Sequence, residues 1–239
     1  MKYVWASGTD TGKVREHNED ALYPAESGSS DNTILLMVAD GMGGAVAGEI
    51  ASRIAVEAAS EQPTDATIEP SDRVLAGNSA VILATEEDRS LAGMGTTMTL
   101  VRLDPDGVAA FAHVGDSRAY LLHDGELTQL TDDHSLVGEL VTLGRISKEE
   151  ARHHPHRHLV TRVLGLGPIP IDTFEINLEP GDRILLCSDG LTDMVSDIMI
   201  EEILSAGEGV EPTAWALIEQ ANAAGGVDNT TVVVVDATE

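Results

Sequence analysis

The hydrophobic and polar positions of this chain fall into blocks, which predict groups of strands separated by helices. A continuous aliphatic run over residues 33–39 ends at Asp40 and is typical of a buried strand. Further apolar runs predict strands at 95–103, 108–114, 118–122, 126–130, 173–178, 183–187 and 230–235. Asp-Pro-Asp-Gly, Gly-Asp-Ser and Asp-Gly turn signals separate the runs between residues 95 and 130, which predicts an antiparallel meander there.

Apolar positions at helical spacing predict longer helices between these strands. In the first of them, Ile50, Ile54 and Ala58 lie on one stripe. The helical patterns start near residue 47 and cover about 71–87, 193–204 and 212–224. Strand blocks interrupted by paired helices indicate an α+β fold rather than strict β–α–β alternation. Because no repeat or low-complexity linker divides the chain, we expect a single domain, 1–239.

Residues 133–165 depart from this pattern, with two short helical stretches and four histidines between positions 153 and 158. An excursion of this kind between strands is often a lid or a binding loop. The histidines suggest a zinc site, but Pro155 interrupts a regular i, i+4 pair of ligands and no cysteine is nearby. We therefore interpret the histidines as part of a solvated loop or as adventitious metal ligands.

The charge and the cysteine content of the chain exclude several classes of function. The net charge of −27 argues against nucleic acid as a partner, because the overall field repels phosphate backbones. The one cysteine, Cys187, lies in an apolar run, which predicts a buried hydrophobe rather than a nucleophile and excludes an internal disulfide. Residues 1–10 show no secretion signal, and no apolar run approaches the ~20 residues of a membrane span. We expect a monomeric cytoplasmic protein.

Five short acidic motifs are the main chemical signal, and the last four lie at or beside the end of a predicted strand. They occupy residues 15–20, 40–44, 115–118, 188–190 and 228–229. Carboxylates that converge on one site repel one another strongly unless a cation holds them together. Their hard oxygens favour Mg²⁺ or Mn²⁺, and paired ions of this kind activate water against phosphate esters. The pattern therefore predicts a metal-dependent phosphatase.

Each motif also has an ordinary explanation. The glycines after Asp40 allow close approach of the backbone, so the Gly41 carbonyl could bind a metal, whereas a glycine-rich phosphate cradle is the alternative. That cradle would place a carboxylate against phosphate, and the glycine spacing fits neither common nucleotide-binding pattern. Asp116, Asp189 and Asp228 could each simply form a turn, so the metal hypothesis depends on their joint occurrence.

Arg15 is the best candidate for binding a substrate phosphate, because a guanidinium offers two parallel donors to two oxygens. The alternative is an ion pair with Glu16 or Glu19 on a solvated loop.

The ordered set of motifs resembles the metal-dependent type 2C protein serine/threonine phosphatases, in their short bacterial form. The matching segments are Arg-x-x-Asn-Glu-Asp (15–20), Asp-Gly-Met-Gly-Gly (40–44), Gly-Thr-Thr (95–97), Gly-Asp-Ser-Arg (115–118), Asp-His-Ser (133–135), Thr-Arg-x-Leu-Gly (161–165), Ser-Asp-Gly-Leu (188–191) and Asp-Asn-x-Thr (228–231). The resemblance implies a four-layer α–β–β–α sandwich with the metal centre at one edge of two mostly antiparallel sheets. Residues 133–165 would form the flap subdomain that faces the substrate.

The resemblance also implies roles for individual residues. Asp40 would bridge two Mn²⁺ or Mg²⁺ ions, and a third, weaker ion would sit between Asp116 and Asp189. Gly41 and Asp228 would also bind the ions, and Arg15 would bind the substrate phosphate. Around them, Glu19, Asp20 and Asn229 would support the ligands and the water bound to the metals. A water bridging the ions would attack phosphorus in line and hydrolyse phosphoserine and phosphothreonine in proteins, opposing bacterial serine/threonine kinases.

Two positions depart from the family pattern. Met42 replaces the histidine that eukaryotic relatives carry, which leaves the general acid open between a metal-bound water and His17. His158 stands where asparagine is common, so substrate contacts there do not transfer. Two other functions stay open: a phosphoprotein-binding module without activity, and a narrower phosphatase for a single anti-sigma antagonist.

Overall fold

The computed structural model describes residues 1–44, 46–61, 63 and 68–239 and arranges them in four layers. Two sheets stack face to face, and helices cover the outer face of each sheet. This is the α–β–β–α sandwich that the family resemblance implies. Within the described ranges, no helix combines the length and the apolar character needed to cross a membrane.

The first sheet has the strand order β3-β1-β12-β11-β8-β9, and the second has β10-β7-β6-β4-β2 with β5 beside β4. All of their strand pairs are antiparallel. The strands are β1 (Lys2–Asp10), β2 (Asp20–Tyr23), β3 (Gly28–Ser30), β4 (Ile34–Met42), β5 (Gly95–Thr96), β6 (Met98–Leu103), β7 (Val108–Val114), β8 (Arg118–His123), β9 (Glu126–Gln129), β10 (Asp172–Asn177), β11 (Arg183–Cys187) and β12 (Thr230–Thr238).

The helices lie between these strands and supply the two outer layers and the excursion after β9. They are α1 (Ala47–Ser60), α2 (Pro70–Glu87), α3 (Leu136–Thr142), α4 (Lys148–Arg152), α5 (Asp189–Thr192), α6 (Asp197–Leu204) and α7 (Val210–Ala223), with a 3₁₀ turn at Arg89–Leu91. Helices α1 and α2 pack on the second sheet, and α6 and α7 pack on the first.

The continuous apolar strands are explained by burial on both faces. In β4, Leu36 and Val38 point into the core between the sheets, whereas Leu35 and Met37 pack under α1 and α2. Strand β12 shows the same alternation between the central core and the layer of α6 and α7. Since successive side chains of a strand point to opposite faces, a strand between two apolar layers must be apolar throughout.

The predicted meander was wrong in its connectivity, although its strands are present. Strands β6 and β7 belong to the second sheet, and β8 and β9 belong to the first. The chain crosses between the sheets at Gly115, whose φ of +114° is one that residues with a side chain rarely adopt. A Cβ on Gly115 would also lie 2.4 Å from the Thr97 side chain. The sharp turn and the crossing therefore require glycine at this position.

Two other differences concern element boundaries. The sequence predicts one helix over 193–204, whereas α6 begins only at Asp197, after Ser196 accepts a hydrogen bond from the Met199 amide as its cap. The short helix α5, over Asp189–Thr192, was not predicted. The sequence pattern also missed β1, β2 and β3. Strand β1 pairs along its full length with β12, so its formation depends on a partner more than 200 residues away in the chain.

A buried arginine ties the first sheet to its helices. Arg183, which is 8% exposed, binds both carboxylate oxygens of Asp236 at 2.6 and 2.9 Å. Its remaining donors reach the backbone carbonyls of Leu204 and Glu208 at 2.7 and 2.8 Å. One guanidinium therefore satisfies acceptors from β12, the end of α6 and the loop before α7.

We predict that Arg183→Met lowers the free energy of unfolding by about 3 kcal/mol, since it leaves Asp236 and two carbonyls without their donor. Urea denaturation measures the change. Arg53→Met is the matched control, because Arg53 forms an exposed i, i+4 pair with Glu57 at 3.2 Å and its loss should cost less than about 0.5 kcal/mol. Equal losses in the two variants would contradict this account of the Arg183 network.

Candidate metal centre

The carboxylates that follow or precede the apolar strands meet at one edge of the two sheets. Strands β4 and β7 are both antiparallel to β6, so they are parallel to each other, and Asp40 and Asp116 emerge on the same side. Strands β11 and β12 are antiparallel neighbours, so the end of one and the start of the other bring Asp189 and Asp228 together. All four side chains line one cavity of about 850 Å³.

Asp40 and Asp189 are neighbours in this cavity, and the charge of Asp189 acts on the Asp40 carboxyl. Burial raises the pKa of Asp40 well above its ordinary value, and the negative charges of Asp20, Asp189 and Asp116 add to the effect. Burial also raises the pKa of Asp189 well above its ordinary value, with Asp116 as the next cause. Neighbouring buried carboxylates favour a shared proton when no cation lies between them.

Asp116 and Asp20 belong to the same electrostatic cluster. Burial, reinforced by the charge of Asp133, raises the pKa of Asp116 to about 7. Burial raises the pKa of Asp20 to about 6, although a hydrogen bond of 2.7 Å from the Ser188 hydroxyl to Oδ2 opposes the shift. In the described part of the chain, the buried Oδ1 of Asp20 has no hydrogen-bond partner. A buried oxygen without a partner is costly and fits a bound water or a cation.

Hydroxyl side chains fix the backbone of Asp40. The Asp40 amide donates to Thr97 Oγ1 at 2.9 Å, and the Asp40 carbonyl accepts from Thr96 Oγ1 and from the Thr97 amide at 2.8 Å each. Thr97 Oγ1 also shares a hydrogen bond of 2.8 Å with Ser117 Oγ, which follows Asp116. Both motifs match the family pattern, but these hydroxyls have no predicted role; the signal that could have found them is a polar pair beginning an otherwise apolar strand.

Gly41 lies inside strand β4, which continues to Met42. A Cβ on Gly41 would lie 2.1 Å from the Gly48 carbonyl oxygen and 2.5 Å from that of Glu19. The Gly41 amide donates to the Glu19 carbonyl at 3.0 Å. Helix α1 and the loop before β2 therefore pack directly on the backbone of Gly41, which explains the glycine and leaves no room for a side chain.

Arg15 contacts Asp228 rather than the glutamates considered in the sequence analysis. Its Nη2 lies 2.7 Å from Asp228 Oδ2, and the other Asp228 oxygen accepts from the Asn229 amide at 2.9 Å. The Arg15 side chain is 48% exposed and lines the cavity. The guanidinium is thus placed at the mouth of the carboxylate cluster, where an anionic group would meet it.

Asn229 joins the loop that carries Arg15 to the centre. Its side-chain oxygen accepts from the Glu19 amide at 2.7 Å. Its side-chain nitrogen donates to the carbonyls of Thr11 and His17 at 2.9 Å each. These three bonds hold both ends of the segment between β1 and β2 against the start of β12. The segment includes Glu19, whose pKa is raised chiefly by burial.

His158 comes from the excursion after β9 and approaches the cluster from another side. In the described part of the chain, ligand-type atoms of His158, Asp189 and Asp193 lie within 4.8 Å of one another. The nearest approach to Asp193 is 3.4 Å, from His158 Nδ1 to Oδ2. From the sequence, His158 is only a departure from the family pattern and Asp193 has no predicted role. Asp193 directly follows the short helix α5, which the sequence pattern does not predict.

His113 and Cys187 both have structural roles, which the sequence predicts for Cys187. His113 is buried, with its ring nitrogens 2.9 Å from Thr99 Oγ1 and 3.1 Å from the Asp132 carbonyl, and burial lowers its pKa to about 4. Cys187 is fully buried, and burial raises the pKa of its thiol to about 12. A thiol in this environment stays protonated and is a poor nucleophile.

Similarities to known proteins agree with this geometry. The serine/threonine phosphatase stp of Listeria welshimeri is 41% identical over 238 residues, covering 95% of this chain and 93% of that protein. The serine/threonine protein phosphatase PstP of Mycobacterium tuberculosis is 43% identical over 243 residues, covering 98% of this chain and 45% of that longer protein.

Solved structures agree over the whole chain. The crystal structure of the M. tuberculosis phosphatase PstP/Ppp has a TM-score of 0.90 at 42% identity, and the PstP catalytic domain in complex with two manganese ions has 0.89 at 40%. Each comparison covers 100% of both chains. The family model described as protein phosphatase 2C matches residues 7–215. With this match and these identities, the chain belongs to the protein phosphatase 2C family.

Proposed function

We propose that this chain is a metal-dependent phosphatase that hydrolyses phosphoserine and phosphothreonine in proteins. The observation that supports it best is the convergence of Asp40, Asp116, Asp189 and Asp228 on one cavity. Four carboxylates in one cleft are unfavourable without a counter-charge. The names of the related phosphatases from Listeria and Mycobacterium support the same activity.

The donor set fits hard divalent cations such as Mn²⁺ or Mg²⁺, because it consists of carboxylate oxygens with a backbone carbonyl and contains no thiolate. Among the described residues, Asp20 Oδ1 has no hydrogen-bond partner, which fits the same interpretation because this oxygen offers an acceptor to water bound at the centre. Asp40, the Gly41 carbonyl, Asp189 and Asp228 would hold two ions. Asp116 together with Asp189 would hold a third.

Bound cations would lower the pKa of water and neutralise the charge that develops on the phosphoryl oxygens. The protein's own groups supply position. Arg15 at the mouth of the cavity binds and orients the phosphoryl group, which pre-aligns it for in-line attack. Asp20 and Glu19 accept hydrogen bonds from water at the centre. Met42 has no acidic proton, so protonation of the leaving alkoxide falls to water or to His17, which lines the same cavity.

The proposed cellular role concerns a class of substrates rather than individual proteins. The substrates would be proteins phosphorylated by serine/threonine kinases, and because those kinases use ATP we place the activity in the cytoplasm. All the proposed ligands come from one chain, so a monomer is sufficient for activity. We propose that 1–239 forms one catalytic domain and that 133–165 acts as its flap.

Asp40→Asn should lower turnover of a phosphothreonine peptide by about three orders of magnitude, since several kcal/mol of charge stabilisation are lost with the shared ligand. Phosphate release in Mn²⁺ measures the rate. Asp106→Asn, in an exposed turn, is the matched control and should retain full activity. The proposed function fails if the wild-type protein keeps its activity after exhaustive chelation, or if Asp40→Asn remains active.

The raised pKa values predict how the metal-free protein responds to pH. Neutral Asp20 and Asp116 stabilise the fold below the ordinary carboxyl pKa near 4, and this contribution is lost as pH rises through about 6 and 7. The metal-free protein should therefore melt at a lower temperature at pH 8 than at pH 5, and Mn²⁺ should reverse most of the loss.

Asp189→Asn removes one of the repelling charges. We expect it to raise the melting temperature of the metal-free protein at pH 8 by about 2–4 °C, equivalent to about 1 kcal/mol, and to reduce the Mn²⁺-induced shift. Scanning calorimetry provides the measurement. Glu61→Gln removes an equal charge from an exposed position after α1 and should do neither. A variant that melts like the wild type at pH 8 would count against electrostatic repulsion in the centre.

Asp116→Asn tests the proposed site of the third metal ion. Turnover at saturating Mn²⁺ should persist, whereas the Mn²⁺ concentration for half-maximal activity should rise severalfold and one fewer ion should bind in calorimetric titration. Asp106→Asn is again the control for the loss of one carboxylate. Unchanged stoichiometry and metal dependence would exclude Asp116 as a ligand.

A further inference from the structure

Exposed aliphatic side chains surround the opening of the carboxylate cavity. Val14, Leu159 and Val227 line it, and they are 63%, 51% and 49% exposed. Ten large apolar side chains are exposed in the part of the chain that the structure describes, so three of the ten border this one cavity. Single exposed aliphatic residues are ordinary on protein surfaces, whereas a group of them around a polar cavity marks an interaction site.

The backbone holds these side chains in place. Val14 and Val227 lie on neighbouring loops that are joined by a hydrogen bond of 2.7 Å from the Lys13 amide to the Gly226 carbonyl. Leu159 comes from the excursion after β9, and its carbonyl accepts from the Leu136 amide at 2.9 Å. The three side chains therefore come from separate segments of the chain, and each segment is fixed by hydrogen bonds close to the residue itself.

Folding does not explain why these positions are apolar. Each side chain leaves about half or more of its surface in water, and none belongs to the three buried cores. The surrounding groups are polar, with Arg15, Asp228 and His158 adjacent in sequence to the three residues. A partner that covers the side chains would remove their apolar surface from water, which is the favourable term that the free protein lacks.

We propose that Val14, Leu159 and Val227 form an apolar rim that binds aliphatic side chains on either side of the phosphorylated residue of a substrate protein. The inference rests on the proposed function, because the phosphate has to enter the cavity for its neighbours to reach the rim. Successive residues of an extended peptide are about 3.3 Å apart, so residues flanking the phosphate meet the cavity opening. The net charge of −27 adds to the selectivity by repelling acidic flanks.

The test compares phosphothreonine peptides of equal length whose flanking residues are Val and Leu, Gly, or Glu. The wild-type protein in Mn²⁺ should show a kcat/KM for the aliphatic peptide about tenfold above that for the glycine peptide, the scale of a small hydrophobic contact. The glutamate peptide should be the poorest substrate. Equal kcat/KM values for the aliphatic and glycine peptides would overturn the inference.

Variants test whether the rim residues cause the preference for aliphatic flanking residues. Val14→Thr combined with Leu159→Asn and Val227→Thr keeps similar side-chain sizes and removes apolar surface, so the ratio between the aliphatic and glycine peptides should fall to within about twofold. Leu83→Asn is the matched control, because Leu83 lies on α2, is 55% exposed and is outside the cavity lining, and it should keep the tenfold ratio. A ratio that persists in the triple variant would place the preference elsewhere.

Two further outcomes separate this inference from its alternatives. If none of the peptides is hydrolysed in Mn²⁺, the proposed function itself fails; if all three are hydrolysed at one rate, only the rim fails. Sedimentation at the assay concentration tests a second copy of the chain as the occupant. If the wild type is a dimer and the triple variant is a monomer, the rim mediates self-association, and the peptide-binding role is overturned.

Discussion

Repulsion between carboxylates is the constraint on which the rest of this structure depends. Asp40, Asp116, Asp189 and Asp228 line one cavity, and burial makes the charged forms of Asp40 and Asp189 less favourable still. A flexible chain would relax this repulsion by moving apart. In this protein the backbone is fixed around these residues. Strand pairing and a hydrogen bond to the Thr97 hydroxyl hold Asp40, and hydrogen bonds of Asn229 hold the segment before β2.

The packing of the two sheets prevents the carboxylates from moving apart. The centre lies at the ends of strands whose other residues are locked between two apolar layers, so the free energy of the core opposes any spreading of the sheet edge. The antiparallel pairing of β11 with β12 brings together Asp189 and Asp228, which are far apart in sequence. The acidic cluster is therefore stabilised from a distance, by apolar packing that contains none of its ligands.

The sequence predicts the parts of this arrangement that have local causes. Apolar runs that end in Asp40 or Asp189 mark both the strands and the carboxylates, because a strand between two layers is apolar until it reaches the edge. Strand β1 could not be found in this way, since its pairing partner lies at the other end of the chain. The same applies to the contact of Arg15 with Asp228, and to Asp193 beside His158, which require the fold before they become neighbours.

The packing at Gly41 has a consequence for how a protein of this kind can change. A Cβ on Gly48 would lie 2.1 Å from Glu19 Oε2, and one on Gly41 would collide with the Gly48 carbonyl, so neither glycine can gain a side chain unless its neighbours shift. A change of selectivity at these two positions would therefore disturb the segment that carries Glu19. Val14 and Leu159 are exposed on the outer loops, so evolution toward a different target protein can proceed there while the chemistry beneath stays the same.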